Sequence, residues 1–122
     1  MTPELEALAR RAVACRHWRW MPGMRWVLLD ESESGRLDDW QPEGMARPAG
    51  ALPDLTDPAT VGCLLALVRE AHNAPHAWVE VRYGKRARVL SPDNYSEGAR
   101  MLSEWQIGTD AAALVAALEA AS

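Results

Sequence analysis

The sequence predicts an α+β fold in which three helices pack against a small antiparallel sheet of three to four strands. Apolar residues recur at helical spacing in three segments, at the start, in the middle and at the end of the chain. Short apolar or alternating segments, bounded by turn residues, lie between these helices and predict strands. Helices that are segregated against an antiparallel sheet form a layered α+β domain.

The first and last helices have recognisable starts. Thr2 is a suitable cap and Pro3 a suitable first residue, so the apolar spacing that follows predicts a helix over residues 3–15. The segment 108–110 caps a last helix, whose apolar stripe runs among alanines.

The second helix begins at Asp57 and Pro58 by the same signals. It ends near residues 72–73 because Pro75 follows, and its apolar arc is wide. We therefore expect this helix to be the central helix of the core.

Strands are predicted from apolar runs and from alternation at residues 26–29, 77–83, 86–90 and 101–107. Gly84-Lys85 predicts a two-residue turn between the second and third of these. Residues 30–56 are acidic and rich in Pro and Gly, which predicts a long loop with a further strand at about 35–40.

Composition limits the protein class. The chain has 122 residues, 48% of them hydrophobic and 25% charged, which favours a single globular domain over residues 1–122. The net charge of −4 argues against a general nucleic-acid-binding protein. No secretory leader or membrane-spanning run is evident, and Cys15 and Cys63 are too few for a disulfide framework. We expect a cytoplasmic protein with two buried free thiols.

Catalytic and metal-binding patterns are absent from the sequence. His72 and His76 do not share a helix face because Pro75 lies between them, and no paired-cysteine zinc pattern is present. No nucleophile or phosphate-loop motif is present either, and Asp38-Asp39 is typical of a solvated turn. The sequence therefore predicts a non-enzymatic protein without a metal or a cofactor.

Basic residues are concentrated in two short segments, 10–25 and 82–88, which hold nine of the thirteen. In the first segment, arginines alternate with tryptophans. Arginine offers a planar, permanently charged group for phosphate or carboxylate, and tryptophan offers a flat face for a base. The predicted ligand-binding residues are Arg16, Trp18, Arg19, Trp20, Arg25, Trp26, Arg86 and Arg88.

Structural alternatives exist for each of these features. The three tryptophans can belong to the core while the arginines extend to water. The charges of the hairpin at 82–88 can protect an exposed sheet edge from pairing with other chains. The acidic residues at 30–43 can be a solvated loop, or they can contact the basic segments of a neighbouring subunit.

Three segments carry a resemblance: residues 15–24 (CRHWRWMPGM), 52–71 (LPDLTDPATVGCLLALVREA) and 113–120 (ALVAALEA). Together they resemble a group of small proteins, without assigned activity, that bacteriophages and prophages encode. The resemblance implies no functional residue. It does imply an accessory protein in the cytoplasm of a bacterial host, of the kind that disables defence proteins or, as an oligomeric sponge, sequesters cyclic nucleotide signals.

Two functions follow as hypotheses. The first is a non-enzymatic phage accessory protein that binds a small anionic ligand, such as a cyclic or linear nucleotide signal. The second is an inhibitor or adaptor that binds a host protein through the same aromatic surface or through the acidic loop at 30–43, because Trp and Arg are also common interface anchors. A homo-oligomer is expected in both, since a chain of 122 residues has little concave surface of its own.

Overall fold

A computed structural model of the chain describes residues 1–38, 42–92 and 99–121 and has an α+β architecture. Its elements, in chain order, are α1 (Pro3–Ala14), β1 (Arg25–Val27), β2 (Ser34–Arg36), a 3₁₀ helix (Pro42–Met45), β3 (Leu52–Pro53), α2 (Pro58–Ala71), β4 (Trp78–Arg82), β5 (Arg86–Pro92), β6 (Ala99–Met101), β7 (Gln106–Ile107) and α3 (Asp110–Ala120). The prediction of α+β class is confirmed. The prediction of one sheet is wrong, because the strands form two antiparallel sheets.

The first sheet has the strand order β2-β1-β3 and is built mostly from the segment predicted to be a loop. Its central strand is shorter than predicted, because the chain already turns at Leu28, whose carbonyl accepts from the Glu31 amide at 2.8 Å. Trp26 pairs with Gly35 on one side and with Pro53 on the other. The acidic loop therefore contributes two strands to the fold.

The second sheet has the strand order β4-β5-β6, and β7 pairs with the first residues of β5. The predicted strand over 101–107 is divided, because Ser103 leaves the strand and accepts a hydrogen bond from the Val89 amide at 3.0 Å. The turn between β4 and β5 has three residues, 83–85, since Arg82 pairs with Arg86. Tyr83 and Gly84 both have positive φ, so the predicted two-residue turn is wrong in length.

The helix starts agree with the sequence. Thr2 Oγ1 accepts a hydrogen bond from the Leu5 amide at 3.2 Å, and Asp57 Oδ2 accepts one from the Thr60 amide at 3.0 Å. The N-cap of α3 is Thr109, which makes no side-chain cap bond. The sequence signals thus predict where the helices begin more accurately than where the strands lie.

The central helix of the core is α3 and not α2. It contacts α1, α2, β4, β5 and β7, and its buried residues include Leu114, Val115 and Leu118. The physical reason is its composition: a helix that is apolar on every side is buried on every side, and its alanines allow neighbours to approach closely. His72 Nε2, at the end of α2, lies 2.6 Å from the Ala117 carbonyl and ties the two helices together.

No α-helix within residues 1–38, 42–92 and 99–121 is long and apolar enough to cross a membrane.

Candidate functional site

The predicted ligand-binding residues fall into two groups in the structure. Residues 16–26 connect α1 to β1 and enter the first sheet, whereas Arg86 and Arg88 lie on β5 of the second sheet. No described strand of one sheet pairs with a strand of the other. The two groups therefore have to be considered separately.

The arginines of the first group are engaged within the fold. Arg19 donates to both carboxylate oxygens of Glu70, at 2.9 and 2.8 Å, and this contact lowers the pKa of Glu70. Arg25 donates to Ser34 Oγ at 2.9 Å, and its Nε lies 3.7 Å from Asp54 Oδ2. Both charges thus have an acidic partner nearby, whereas Arg16 is exposed.

The tryptophans of the first group are half-buried and pack against the core. Trp18 and Trp20 meet edge to face with ring centroids 5.5 Å apart, and the guanidinium of Arg47 lies 4.5 Å from the Trp20 centroid. Trp26 covers Gly35 so closely that a Cβ there would be 2.8 Å from its Nε1. These contacts support the core-packing interpretation of the three tryptophans.

The second sheet separates its side chains by face, because successive residues of a strand point to opposite sides. Val79 pairs with Val89 and Val81 pairs with Ala87, and both of these β5 residues are fully buried. The opposite, outer face carries the cross-strand pairs Arg82–Arg86, Glu80–Arg88 and Trp78–Leu90. Alternation therefore places three arginines and one glutamate together on the outer face.

Trp105, which immediately precedes β7, completes a basic–aromatic face. The guanidinium carbons of Arg88, Arg86 and Arg82 lie 4.4, 4.6 and 5.4 Å from its ring centroid. These distances fall within the ~6 Å range of cation–π attraction. We call these four residues, together with Glu80, the basic–aromatic face.

The charge of this face is only partly compensated. Glu80 Oε1 lies 2.7 Å from Arg82 Nε, and Glu80 Oε2 accepts from Arg88 Nη2 at 3.4 Å. In the described part of the chain, Arg86 has no acidic partner within salt-bridge distance, and the buried Arg88 Nε has no hydrogen-bond partner. Among the described residues, Glu80 is the acidic partner of two of the three guanidinium groups, so the face carries an excess of positive charge on an acidic protein.

Exposed apolar side chains flank the basic–aromatic face. Trp78 is 39% exposed, Met101 51% and Ile107 95%. Met101 pairs with Leu90, and Ile107 pairs with Arg86, so both lie on the same outer side of the sheet. A partner that contacts this face can combine anionic groups with flat or apolar surface.

Sequence reasoning identified part of this face and missed the rest. Arg86 and Arg88 were predicted, whereas Glu80, Arg82 and Trp105 were not included among the ligand-binding residues. The alternation of 78–82 against 86–90 was a usable signal for Glu80 and Arg82. Trp105 reaches the face from a separate segment, and no local pattern places it there.

A cavity of about 610 Å³ lies between the start of α1 and the first sheet. Arg25 and Asp54 line it, together with Val27 and Leu55. Glu31 and the N-terminal ammonium group of Met1 also line the cavity and pair with each other. Because positive and negative groups are balanced there, this cavity has no excess of charge with which to select an anionic ligand.

The two cysteines are half-buried and free. Burial raises the pKa of each thiol, which disfavours the nucleophilic thiolate. Within the described residues, no group of three or more His, Cys, Asp or Glu side chains is arranged to hold a metal ion.

No protein-family model, curated protein or solved structure matches the chain. The resemblance to phage-encoded proteins therefore stays a prediction.

Proposed function

We propose that the protein is a non-enzymatic binding protein that recognises an anionic, nucleotide-like ligand through its basic–aromatic face. The observation that carries the proposal is the arrangement of Arg82, Arg86 and Arg88 around Trp105 with Glu80 as their nearby carboxylate. Because the whole chain has a net charge of −4, the local excess of positive charge on this face favours a role in binding an anion.

The chemistry of the face fits phosphate and base together. A guanidinium group donates two parallel hydrogen bonds to phosphate oxygens, and its plane also accepts the flat face of a base. Arg86 is exposed and is the cross-strand partner of Arg82, so two neighbouring guanidinium groups can contact one phosphate group. In this assignment Trp105 orients the guanidinium groups, and the exposed Trp78 supplies a free aromatic surface.

The phage resemblance gives the proposal its specific form. An accessory protein in the bacterial cytoplasm that sequesters a cyclic nucleotide of host immunity needs affinity and abundance, but no catalytic group. The proposal assigns this role to the second sheet, in place of the Arg/Trp segment at 16–26.

Native mass spectrometry and calorimetry with a panel of cyclic and linear nucleotides test this proposal. We expect binding by the wild-type protein, and at least a tenfold loss in the double variant Arg86→Ala/Arg88→Ala. The double variant removes about two charge-assisted hydrogen bonds, each of which contributes about 1.5–3 kcal/mol.

The matched control is Arg16→Ala/Arg19→Ala, which removes the same number of positive charges from the other region. It is expected to change affinity by less than twofold. Equal losses in the two double variants would mean that net charge alone governs binding, and this result would contradict the assignment.

A second candidate function is the inhibition of a host protein, and one observation favours it. The face is an open sheet surface with exposed Trp78, Met101 and Ile107, and such surfaces fit another protein as well as a small ligand. If the wild-type protein binds none of the nucleotides, the next experiment is affinity capture from host lysate with the wild type and with Trp78→Ala. A specific partner is captured by the wild type and lost in the variant, whereas an adventitious one is captured by both.

A further inference from the structure

We propose that β4 pairs antiparallel with β4 of a second copy of this chain, around a two-fold axis at Val81. The two second sheets then form one continuous sheet. This inference does not depend on what the basic–aromatic face binds.

The strand β4 lies at the end of its sheet. In the described residues the sheet order is β4-β5-β6 with β7 also on β5, so one side of β4 has no strand beside it. An edge strand presents backbone N–H and C=O groups that can pair with another strand. Exposed apolar residues lie along this edge: Val81 is 50% exposed and Tyr83, directly after the strand, is 85% exposed.

The side-chain pattern of β4 is complementary to itself. If Val81 faces Val81 of the second copy, an antiparallel register places Glu80 opposite the second copy's Arg82, and the reverse pair forms by symmetry. On the other face, the two Val81 side chains, each 50% exposed, lie opposite each other. Opposite charges and apolar pairs that face each other across strands stabilise a sheet by about 0.2–1 kcal/mol each.

Glu80 supplies a second argument for this register. Its Oε1 is buried and has no aligned hydrogen bond, although Arg82 Nε lies 2.7 Å away. In the paired sheet, Arg88 flanks Glu80 on one side and the second copy's Arg82 on the other. The carboxylate then lies between two cross-strand guanidinium groups.

The neighbouring register is less favourable. With Glu80 on the two-fold axis, the two carboxylates would lie directly opposite each other, and like charges in that position are destabilising. The charges of β4 are also unlike those of a protected edge, because both signs are present and one face is apolar.

Sedimentation equilibrium with a charge swap tests the interface. We expect a wild-type dimer at tens of micromolar. Glu80→Lys alone and Arg82→Glu alone place like charges opposite each other, and each is expected to weaken the dimer at least tenfold. An equimolar mixture of the two variants restores both opposite-charge pairs and is expected to recover the dimer. Ile107→Lys, at an exposed position on β7, away from the free edge of β4, is the control that leaves the dimer intact.

A cross-linking experiment fixes the register without altering charge. In a Cys15→Ala/Cys63→Ala background, Val81→Cys is expected to oxidise to a covalent dimer, because residues facing each other across the axis have Cβ atoms about 4.5–5.5 Å apart. Val79→Cys in the same background is also uncharged and lies two residues from the axis, so it is expected to form no covalent dimer under oxidation. A wild-type protein that is still monomeric at about 100 µM would overturn the proposal. A dimer that survives both Val81→Lys and the charge variants would overturn it as well.

Discussion

The two sheets use arginine in opposite ways. In and around the first sheet, Arg36 donates to both carboxylate oxygens of Asp57 at 2.8 Å, and Arg19 does the same with Glu70. On the second sheet, Arg82 and Arg88 pair with Glu80, whereas Arg86 has no acidic partner in the described part of the chain, and all three arginines surround Trp105. The first arrangement satisfies its charges within the fold, whereas the second leaves positive charge for a partner.

This difference shows that the density of arginine and tryptophan in a sequence is a poor guide to a binding site. The segment richest in both, residues 10–26, packs its tryptophans on the core and pairs its central arginines with acids. The useful criterion is whether the charges are compensated, and this depends on residues that are distant in sequence.

The largest expected effect comes from the network that joins the first sheet to α2. Thr60 is fully buried; its Oγ1 accepts from the Arg25 amide at 2.8 Å and donates to Asp57 Oδ2 at 2.9 Å. Thr60→Val keeps the shape but leaves the Arg25 amide without an acceptor. We expect a loss of about 2 kcal/mol in the free energy of unfolding, measured by urea denaturation.

The control for this prediction is Thr60→Ser, which keeps the hydroxyl and removes only a methyl group. It is expected to cost about 1 kcal/mol or less. If serine and valine are equally destabilising, packing and not hydrogen bonding explains the role of Thr60.

The contact between Trp26 and Gly35 is expected to be the next most sensitive feature of the first sheet. Gly35→Ala places a Cβ 2.8–2.9 Å from the indole, which has to shift. We expect a loss of about 1–2 kcal/mol and a change in tryptophan fluorescence, as for an overpacked site. Gly62→Ala in α2 meets no atom within 4 Å and is expected to raise stability slightly, by about 0.5–1 kcal/mol.

Acid is expected to weaken the first sheet through Asp57. Arg36, followed by the Thr60 hydrogen bonds, holds the pKa of Asp57 well below its usual value. Because the folded-state pKa is below the unfolded one, this stabilisation is complete above about pH 4 and is lost as the pH falls toward the folded-state pKa.

Asp57→Asn is the variant that isolates this effect, since asparagine also caps a helix well. At pH 7 it is expected to be less stable than wild type by about 1 kcal/mol. Urea midpoints measured from pH 7 down to pH 2.5 should show that gap narrowing below pH 4. A constant gap would mean that ionisation of Asp57 does not contribute.

Much of the fold was predictable because its signals are local. Thr2, Asp57 and Pro58 start their helices by hydrogen bonding or by backbone geometry within a single turn. The hairpin of β4 and β5 follows from alternation. The α+β class could therefore be predicted, together with the position of each helix.

The remainder depends on contacts between distant segments. Whether the strands form one sheet or two is decided by pairings such as Trp26 with Pro53, and these separate β1 from the hairpin of β4 and β5. The same holds for the candidate site: alternation could have grouped Glu80 with Arg88, but the arrival of Trp105 depends on how β7 pairs with β5. Local sequence patterns do not reveal which strands pair, so neither the number of sheets nor the position of Trp105 could be predicted from them.

Arg19 gives the smallest expected effect and the sharpest comparison between the two regions. It was predicted to bind ligand, yet it forms an exposed two-bond ion pair with Glu70. Exposed ion pairs contribute about 0–1 kcal/mol, so Arg19→Gln is expected to lower stability by about 0.5 kcal/mol or less and to leave ligand affinity unchanged. Arg86→Gln, which breaks no ion pair in the described part of the chain, is expected to have the reverse effect: unchanged stability with weakened binding. If Arg19→Gln weakens nucleotide binding while Arg86→Gln does not, the compensated arginine is the functional one, and the distinction drawn between the two sheets fails.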